Sequence, residues 1–285
     1  LQSGGKKMIK YIDKVIYESD DVNDLYHLVC NSVNAIGDKV ANTTELRNIT
    51  MRLTDMNNNV IYPRASIVYA LGELIWYFSG DNHLDFINKF SSIWNRLSDD
   101  GKTCNSAYGY LLQEKFGFNQ IDTVIRLLKI DTDTRRAVLN LNYANKSVIT
   151  TKDEPCTVCI QFFIRNNKLH TTVYMRSNDL YTGFPYDILF FTELTKYIAS
   201  QLNIKTGEYT HIVGSLHFYD ENKSKLLADA AMSQPAPYKI NIINLVNNIR
   251  FLEAYCWGFM NKSTRQEFHD TLIKICKIKK ILEDI

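Results

Sequence analysis

The sequence predicts an α+β fold in which helices pack on one sheet. Three observations carry this reading: long apolar stretches with helical spacing, segments that alternate apolar and polar residues, and a hairpin pattern, all mixed along the chain. No internal repeat, low-complexity tract or Pro/Gly/Ser-rich linker divides the chain, so a single domain is expected over residues 8–285. The opening LQSGGKK, residues 1–7, reads as a tag remnant ahead of Met8.

Residues 47–55 (RNITMRLTD) alternate Ile49, Met51 and Leu53 with polar neighbours, as a half-buried strand does, and residues 57–59 then turn the chain. Over 66–78, Ile67, Leu71, Leu74, Ile75 and Phe78 recur at helical spacing until Gly80 and Asp81 stop the helix. Glu73 lies inside that apolar run. Residues 159–165 and 169–175 are rich in β-branched and aromatic side chains and flank Asn166-Asn167-Lys168, which predicts a β-hairpin with Cys156 at its entrance. A helix is expected over 187–202, a strand over 209–213 ending at Gly214, and two more helices over 240–259 and 264–282.

A 285-residue chain with 45% hydrophobic residues can bury a sizeable core. Thirty-three basic against 31 acidic residues leave a net charge of +2, so no strong field favours a nucleic-acid backbone and stable nucleic-acid binding is not expected. An anionic ligand must be held by a local arginine cluster. No apolar stretch is long enough for a bilayer and no secretory signal opens the chain, so a cytoplasmic protein is expected, in the host if phage-encoded. The six cysteines are scattered. Cys156 and Cys159 form a C-x-x-C without a second pair to complete four ligands, so reduced thiols and no metal are expected.

Two segments have the residue types of a ligand site. Residues 175–187 (MRSNDLYTGFPYD) crowd Arg176, Ser177, Asn178 and Asp179 at the end of an apolar strand, which reads equally as a site or a solvated turn. In TDTRRAV, Arg135 and Arg136 suit a phosphate through bidentate hydrogen bonds, or ordinary exposed ion pairs.

The ordered motifs ELIWYFSGDN (73–82), SIW (92–94), YG (108–109), TRR (134–136), EPC with QFF (154–156, 161–163), RSNDLYTGFP (176–185) and GSLHFY (214–219) resemble thymidylate synthase over roughly three quarters of the chain. MRSND, GF-x-x-D and GSLH-x-Y resemble the phage deoxycytidylate hydroxymethylases in particular. Thr157, where synthases carry His, and Ser215, where they carry Asp, point to the same branch.

The resemblance implies a thymidylate synthase-like fold, a mixed sheet packed with helices, and a homodimer joined sheet to sheet. It implies transfer of a one-carbon unit from 5,10-methylenetetrahydrofolate to C5 of dCMP, with hydration to 5-hydroxymethyl-dCMP. Cys156 is then the nucleophile that adds to C6 and makes C5 reactive. Glu73 orders water and relays protons, and Tyr108 stands near the thiol. Arg176 and Ser177 bind phosphate from the same subunit, Arg135 and Arg136 reach across a dimer interface, and His217 and Tyr219 hold the sugar 3′-hydroxyl. Asn178 and Asp179 are further substrate ligands. Trp94, Asp179, Gly183 and Tyr186 form the folate wall.

Asp187 stands where synthases have Asn. Cytosine presents an N4 amino donor and an unprotonated N3, so a carboxyl group can accept from N4 and share a proton with N3. Without the family register the same Asp reads as a helix N-cap. Leu97 replaces a second tryptophan and the chain ends in KIKKILEDI in place of a short apolar tail; both changes admit water as the final nucleophile. The early-loop phosphate arginine has no clear counterpart in Lys39 or Arg47. A dCMP methylase, a dUMP enzyme, a ribo-CMP hydroxymethylase and a non-catalytic nucleotide- or RNA-binding protein remain as alternatives.

Overall fold

Alternating burial along the strands builds the sheet on which everything else rests. The computed structural model describes residues 16–143, 149–259 and 279–280. A seven-stranded sheet runs β1 (Ile16–Ser19), β3 (Thr43–Leu53), β7 (Lys205–Tyr219), β6 (Lys168–Asp179), β5 (Thr157–Arg165) and β4 (Val138–Asn140), with β2 (Asp38–Val40) paired to β3. The β1–β3 and β6–β7 pairs are parallel and the others antiparallel, so the sheet is mixed and the class α+β, as expected.

Local chemistry explains the best-anticipated elements. The helix α2 (Ile67–Ser79) starts where the Ser66 side chain accepts from the Tyr69 N–H and stops at Gly80, whose φ of 77° is left-handed. Asn166 and Asn167, at φ 52° and 55°, make the two-residue turn between β5 and β6, a geometry that Asn tolerates and that matches strand twist. Helix α1 (Val22–Ile36) is capped by Asp21 and buries Leu25, Tyr26, Val29 and Val33 on one stripe against β3.

Several boundaries differ from expectation. Strand β6 does not end at Met175 but continues through Asp179, so Arg176 to Asp179 are strand residues and not a solvated turn. Strand β7 runs on to Tyr219. Gly214 lies inside it, because a Cβ there would stand 2.8 Å from the Arg176 carbonyl oxygen of the parallel neighbour. Helix α7 (Phe184–Gln201) starts three residues before 187, with Pro185 in its first turn and Gly183 as cap, so Asp187 is not an N-cap. The helix expected over 240–259 is two, α9 (Ile242–Asn247) and α10 (Ile249–Phe259), broken at Asn248. Of the helix expected over 264–282 only Lys279–Lys280 are described, and they form a strand paired to Tyr238–Lys239. Residues 1–7 lie outside the described residues.

The core lies between the sheet and α1 and α7, with α2 beside them; Tyr26, Trp76, Phe162, Phe184, Phe191 and Tyr209 are fully enclosed. Three short helices pack along α2: α3 (Leu84–Ile87), α4 (Ile93–Leu97) and α5 (Tyr108–Gln113), while α6 (Gln120–Ile130) packs on α5 and β4, and α8 (Lys223–Ala231) on α1. At Gly109 the first turn of α5 presses so closely on α2 that a Cβ would sit 1.8 Å from the Tyr77 carbonyl oxygen. That approach stacks Tyr77 on Tyr108, ring centroids 5.3 Å apart. Gly109→Ala must push the helices apart and is expected to cost about 1–3 kcal/mol, lowering the thermal midpoint by several degrees. An unchanged midpoint would show that this contact does not constrain α5.

Candidate active site

A cleft of about 640 Å³ opens between α2, α4 and the start of α5 on one side, and the ends of β6 and β7 with the first turn of α7 on the other. The loop before β5 closes its floor. Most of the residues singled out from the sequence line it: Glu73, Trp94, Leu97, Tyr108, Cys156, Arg176, Ser177, Asn178, Asp179, Gly183, Tyr186, Asp187, His217 and Tyr219. Arg135 and Arg136 do not. They are exposed just before β4, where Arg136 meets Asp131 at 3.4 Å.

Cys156 sits at the entrance of β5, half-buried, on a loop held from two sides. Arg176 reaches back to it: Nη2 donates to the Glu154 carbonyl at 2.7 Å, Nε to the Pro155 carbonyl at 3.2 Å, and the Arg176 N–H to the Cys156 carbonyl at 2.9 Å. On the other side the buried Asp153 carboxylate accepts from the Ser106 N–H at 2.7 Å and from the Cys104 thiol at 2.8 Å. The arginine thus serves the backbone around Cys156 as well as the cleft.

Burial pushes the Cys156 thiol up to about 11; Arg176 works against this, and the charges of Asp187, Asp153 and Asp179 add to it. At neutral pH the resting thiol is therefore protonated. Burial likewise raises Glu73 to about 8, opposed by a hydrogen bond from the Tyr69 hydroxyl at 2.7 Å and reinforced by the charge of Asp187. Glu73 holds a proton at neutral pH and can release it near that range, as acid/base work requires. Tyr69 also accepts from Trp94 Nε1 at 3.1 Å, so the tryptophan, the tyrosine and the glutamate form one line.

Asp187 faces the cleft from the first turn of α7. Burial raises it to about 7, and the Asn178 amide, donating to its Oδ2 at 2.8 Å, holds it down. His217 and Tyr219 project from one face of β7 with their rings 5.5 Å apart, and Asp179 accepts from the Tyr181 N–H at 3.0 Å, fixing the entry to α7. Leu97 lines the wall beside Trp94.

Sequence reasoning missed Tyr69 and Tyr77, although they stand four residues either side of Glu73 on one helix face, the spacing at which side chains meet. It also missed Arg96 and Lys152, which with Arg176 are the basic side chains lining the cleft among the described residues. No local pattern marks those two; the loop paths bring them in.

The thymidylate synthase family model matches residues 26–254. The chain is 32% identical over 156 residues to a thymidylate synthase of Buchnera aphidicola subsp. Baizongia pistaciae (strain Bp), covering 52% of this chain and 58% of that protein. It is 31% identical over 199 residues to a deoxyuridylate hydroxymethyltransferase of Bacillus phage SP01, covering 65% of this chain and 51% of the other. A protein of the same name from Pseudomonas phage M6 is 32% identical over 189 residues, with 62% and 54% covered. The chain thus spans a little over half the length of these relatives. Its structure is similar to that of thermostable thymidylate synthase A from Bacillus subtilis, with a TM-score of 0.64 and 22% identity over 75% of this chain and 86% of that one, a likeness of fold.

The electrostatics give a direct test. Arg176→Ala removes the guanidinium that holds the Cys156 thiol down, so that thiol should rise further above about 11. Alkylation by iodoacetamide at pH 8, followed on the peptide that carries Cys156, should slow several-fold, roughly tenfold per pH unit of rise. An equal rate would mean that Arg176 does not tune the thiol.

Proposed function

The chain belongs to the thymidylate synthase family, and from that premise we propose that it transfers a one-carbon unit to C5 of dCMP, with water as the final nucleophile, giving 5-hydroxymethyl-dCMP. The observation that carries the cytosine assignment is Asp187, a carboxyl group open to the cleft at the start of α7 with an amide donor on its inner oxygen.

In this reading Cys156 loses its proton and its sulfur bonds to C6, so that the C5–C6 π electrons become available at C5. The co-substrate 5,10-methylenetetrahydrofolate supplies the one-carbon unit, and Trp94, Leu97 and Tyr186 form the apolar wall that would hold it. Asp187 accepts from N4 of the base and shares a proton with N3, which offsets the charge built up during attack at C6. Glu73, with Tyr69, handles the proton lost from C5. Leaving tetrahydrofolate yields an exocyclic methylene to which water adds, and the C6–S bond then breaks to return Cys156; no oxidant or reductant is consumed. Leu97, in place of a bulkier indole, supports entry of that water.

Arg135 and Arg136 lie away from their own chain's cleft, which supports a homodimer in which each chain lends them to its partner's phosphate site. Tyr174, 39% exposed on the outer face of β6, is suited to such a sheet-to-sheet contact. Mixing Cys156→Ser chains with Arg135→Ala/Arg136→Ala chains should restore activity in hybrid dimers, up to about a quarter of the wild-type rate for random mixing. Proven hybrids without restored turnover would exclude the shared site.

A second reading is deoxyuridylate hydroxymethylation. It is favoured by the names of the phage relatives and by the position of Asp187 near 7, since a neutral carboxyl could donate to uracil O4. Competing dCMP against dUMP, with product mass spectrometry, separates the two and separates hydroxymethyl from methyl. Asp187→Asn should shift the ratio of kcat/KM toward dUMP by roughly tenfold to several hundredfold, about 1–3 kcal/mol of hydrogen bonding. An active variant with the wild-type ratio would remove the cytosine assignment.

A further inference from the structure

Behind Asp187 a hydrogen-bonded line runs into the core. Asn178 donates from Nδ2 to Asp187 Oδ2 at 2.8 Å, its Oδ1 lies 3.1 Å from His211 Nε2, and His211 Nδ1 lies 2.7 Å from the Tyr209 hydroxyl. His211 and Tyr209 are both fully buried on β7. The imidazole is enclosed by the rings of Phe184, edge-on at 5.5 Å, and Phe191 at 6.4 Å, both on the helix that carries Asp187.

Donor and acceptor arithmetic gives this line a direction. With the Asn178 N–H on a carboxylate oxygen, its Oδ1 is the end that accepts from His211. Burial pulls His211 down to about 3, so the ring is neutral and carries one hydrogen, which is then on Nε2. The bare Nδ1 accepts from Tyr209, whose burial keeps its hydroxyl protonated. Every donor thus points toward Asp187. The reverse arrangement, with the amide turned over, needs a proton on Asp187 Oδ2.

We infer that the buried Tyr209–His211 pair is a positioning device for base selection: it holds the Asn178 amide with its N–H toward Asp187, so that Asp187 meets the base as an acceptor. This rests on the reading of Asp187 as the group facing the pyrimidine. Neither Tyr209 nor His211 lines the cleft; both act through Asn178. Tyr108 from α5 also hydrogen-bonds Asp187; Glu73 and Tyr77 from α2, Cys156 from the loop before β5 and Asp179 from β6 act on it electrostatically, and all stay in place in the variants below.

The test begins without nucleotide. In protein labelled with carbon-13 at aspartate carboxyls, Asp187 is assigned by the signal lost in Asp187→Asn and titrated. In His211→Leu the amide is free to turn, and the Asp187 midpoint should move up by about one pH unit. Tyr209→Phe should move it in the same direction by less. His211→Gln, whose amide N–H can stand in for Nε2–H, should return it toward the wild type, which a merely space-filling role would not do. In turnover, the dCMP to dUMP ratio of kcat/KM should fall about tenfold in His211→Leu and recover in His211→Gln. A wild-type midpoint and ratio in both His211→Leu and Tyr209→Phe would overturn the inference, and Tyr209→Phe alone decides if His211→Leu does not fold. A wild-type enzyme that does not distinguish the bases would remove the reading of Asp187, while the titration would still decide whether the pair positions it.

Discussion

The parallel contact between β6 and β7 is the constraint on which the cleft depends. The two strands pair from Lys168 opposite Lys205 to Asp179 opposite His217, and near the end Gly214 lets the backbones approach more closely than any side chain would allow. Because β6 runs on to Asp179 and β7 to Tyr219, Arg176 to Asp179 and His217 with Tyr219 arrive together at one edge. The α7 helix then leaves β6 through the Asp179 turn and returns Asp187 to the same place. One pairing thus delivers groups from three elements to a common wall.

That wall is costly to build. Glu73, Asp187 and Cys156 are all held above their ordinary ranges, with burial as the largest cause for each. The carboxyl groups share the expense by staying close to neutral, and each keeps fixed donors: Tyr69 and Tyr77 for Glu73, Asn178 and Tyr108 for Asp187. Donors fixed by the fold orient the carboxyl groups, so the arrangement sets direction as well as charge. The thiol has no such partner among the described residues; it is lowered by Arg176, which is also hydrogen-bonded to the carbonyls of the loop that carries it.

Features that depend on nearest neighbours were legible in the sequence. Ser66 and Gly80 bracket α2, and Asn166-Asn167 turns the hairpin, because capping and tight turns are settled within a few residues. Pairings between distant segments were not. Gly214 reads locally as a strand end, and only the approach of the Arg176 carbonyl explains why it stands mid-strand. Asp187 resembles a cap in sequence, yet α7 begins at Phe184 and leaves the carboxyl free for the cleft. The cleft residues were found largely through their motifs, whereas Tyr69 and Tyr77, which share a helix face with Glu73, fell inside an apolar pattern that conceals polar use of a hydroxyl. His211 was hidden for the same reason, within a run of alternating strand residues.

The placement of positive charge bears on how such a site would be completed. Within one chain the cleft brings Asp153, Asp179 and Asp187 near the thiol, while Arg176 is the basic group that works against their effect on it. Bringing a phosphate dianion into this setting from water is unfavourable unless more cations converge on it, since the ligand and the carboxyl groups repel across a partly desolvated space. Arg96 and Lys152 line the cleft near Trp94 and the loop that carries Cys156, and Lys152 is already directed toward the Ser98 carbonyl at 3.4 Å. Arg135 and Arg136, exposed and adjacent in sequence, have the fork geometry that a phosphate takes up best, but they stand outside their own chain's cleft. Under the proposed homodimer, Arg135 and Arg136, which lie outside their own chain's cleft, would supply the further positive charge that a phosphate needs there.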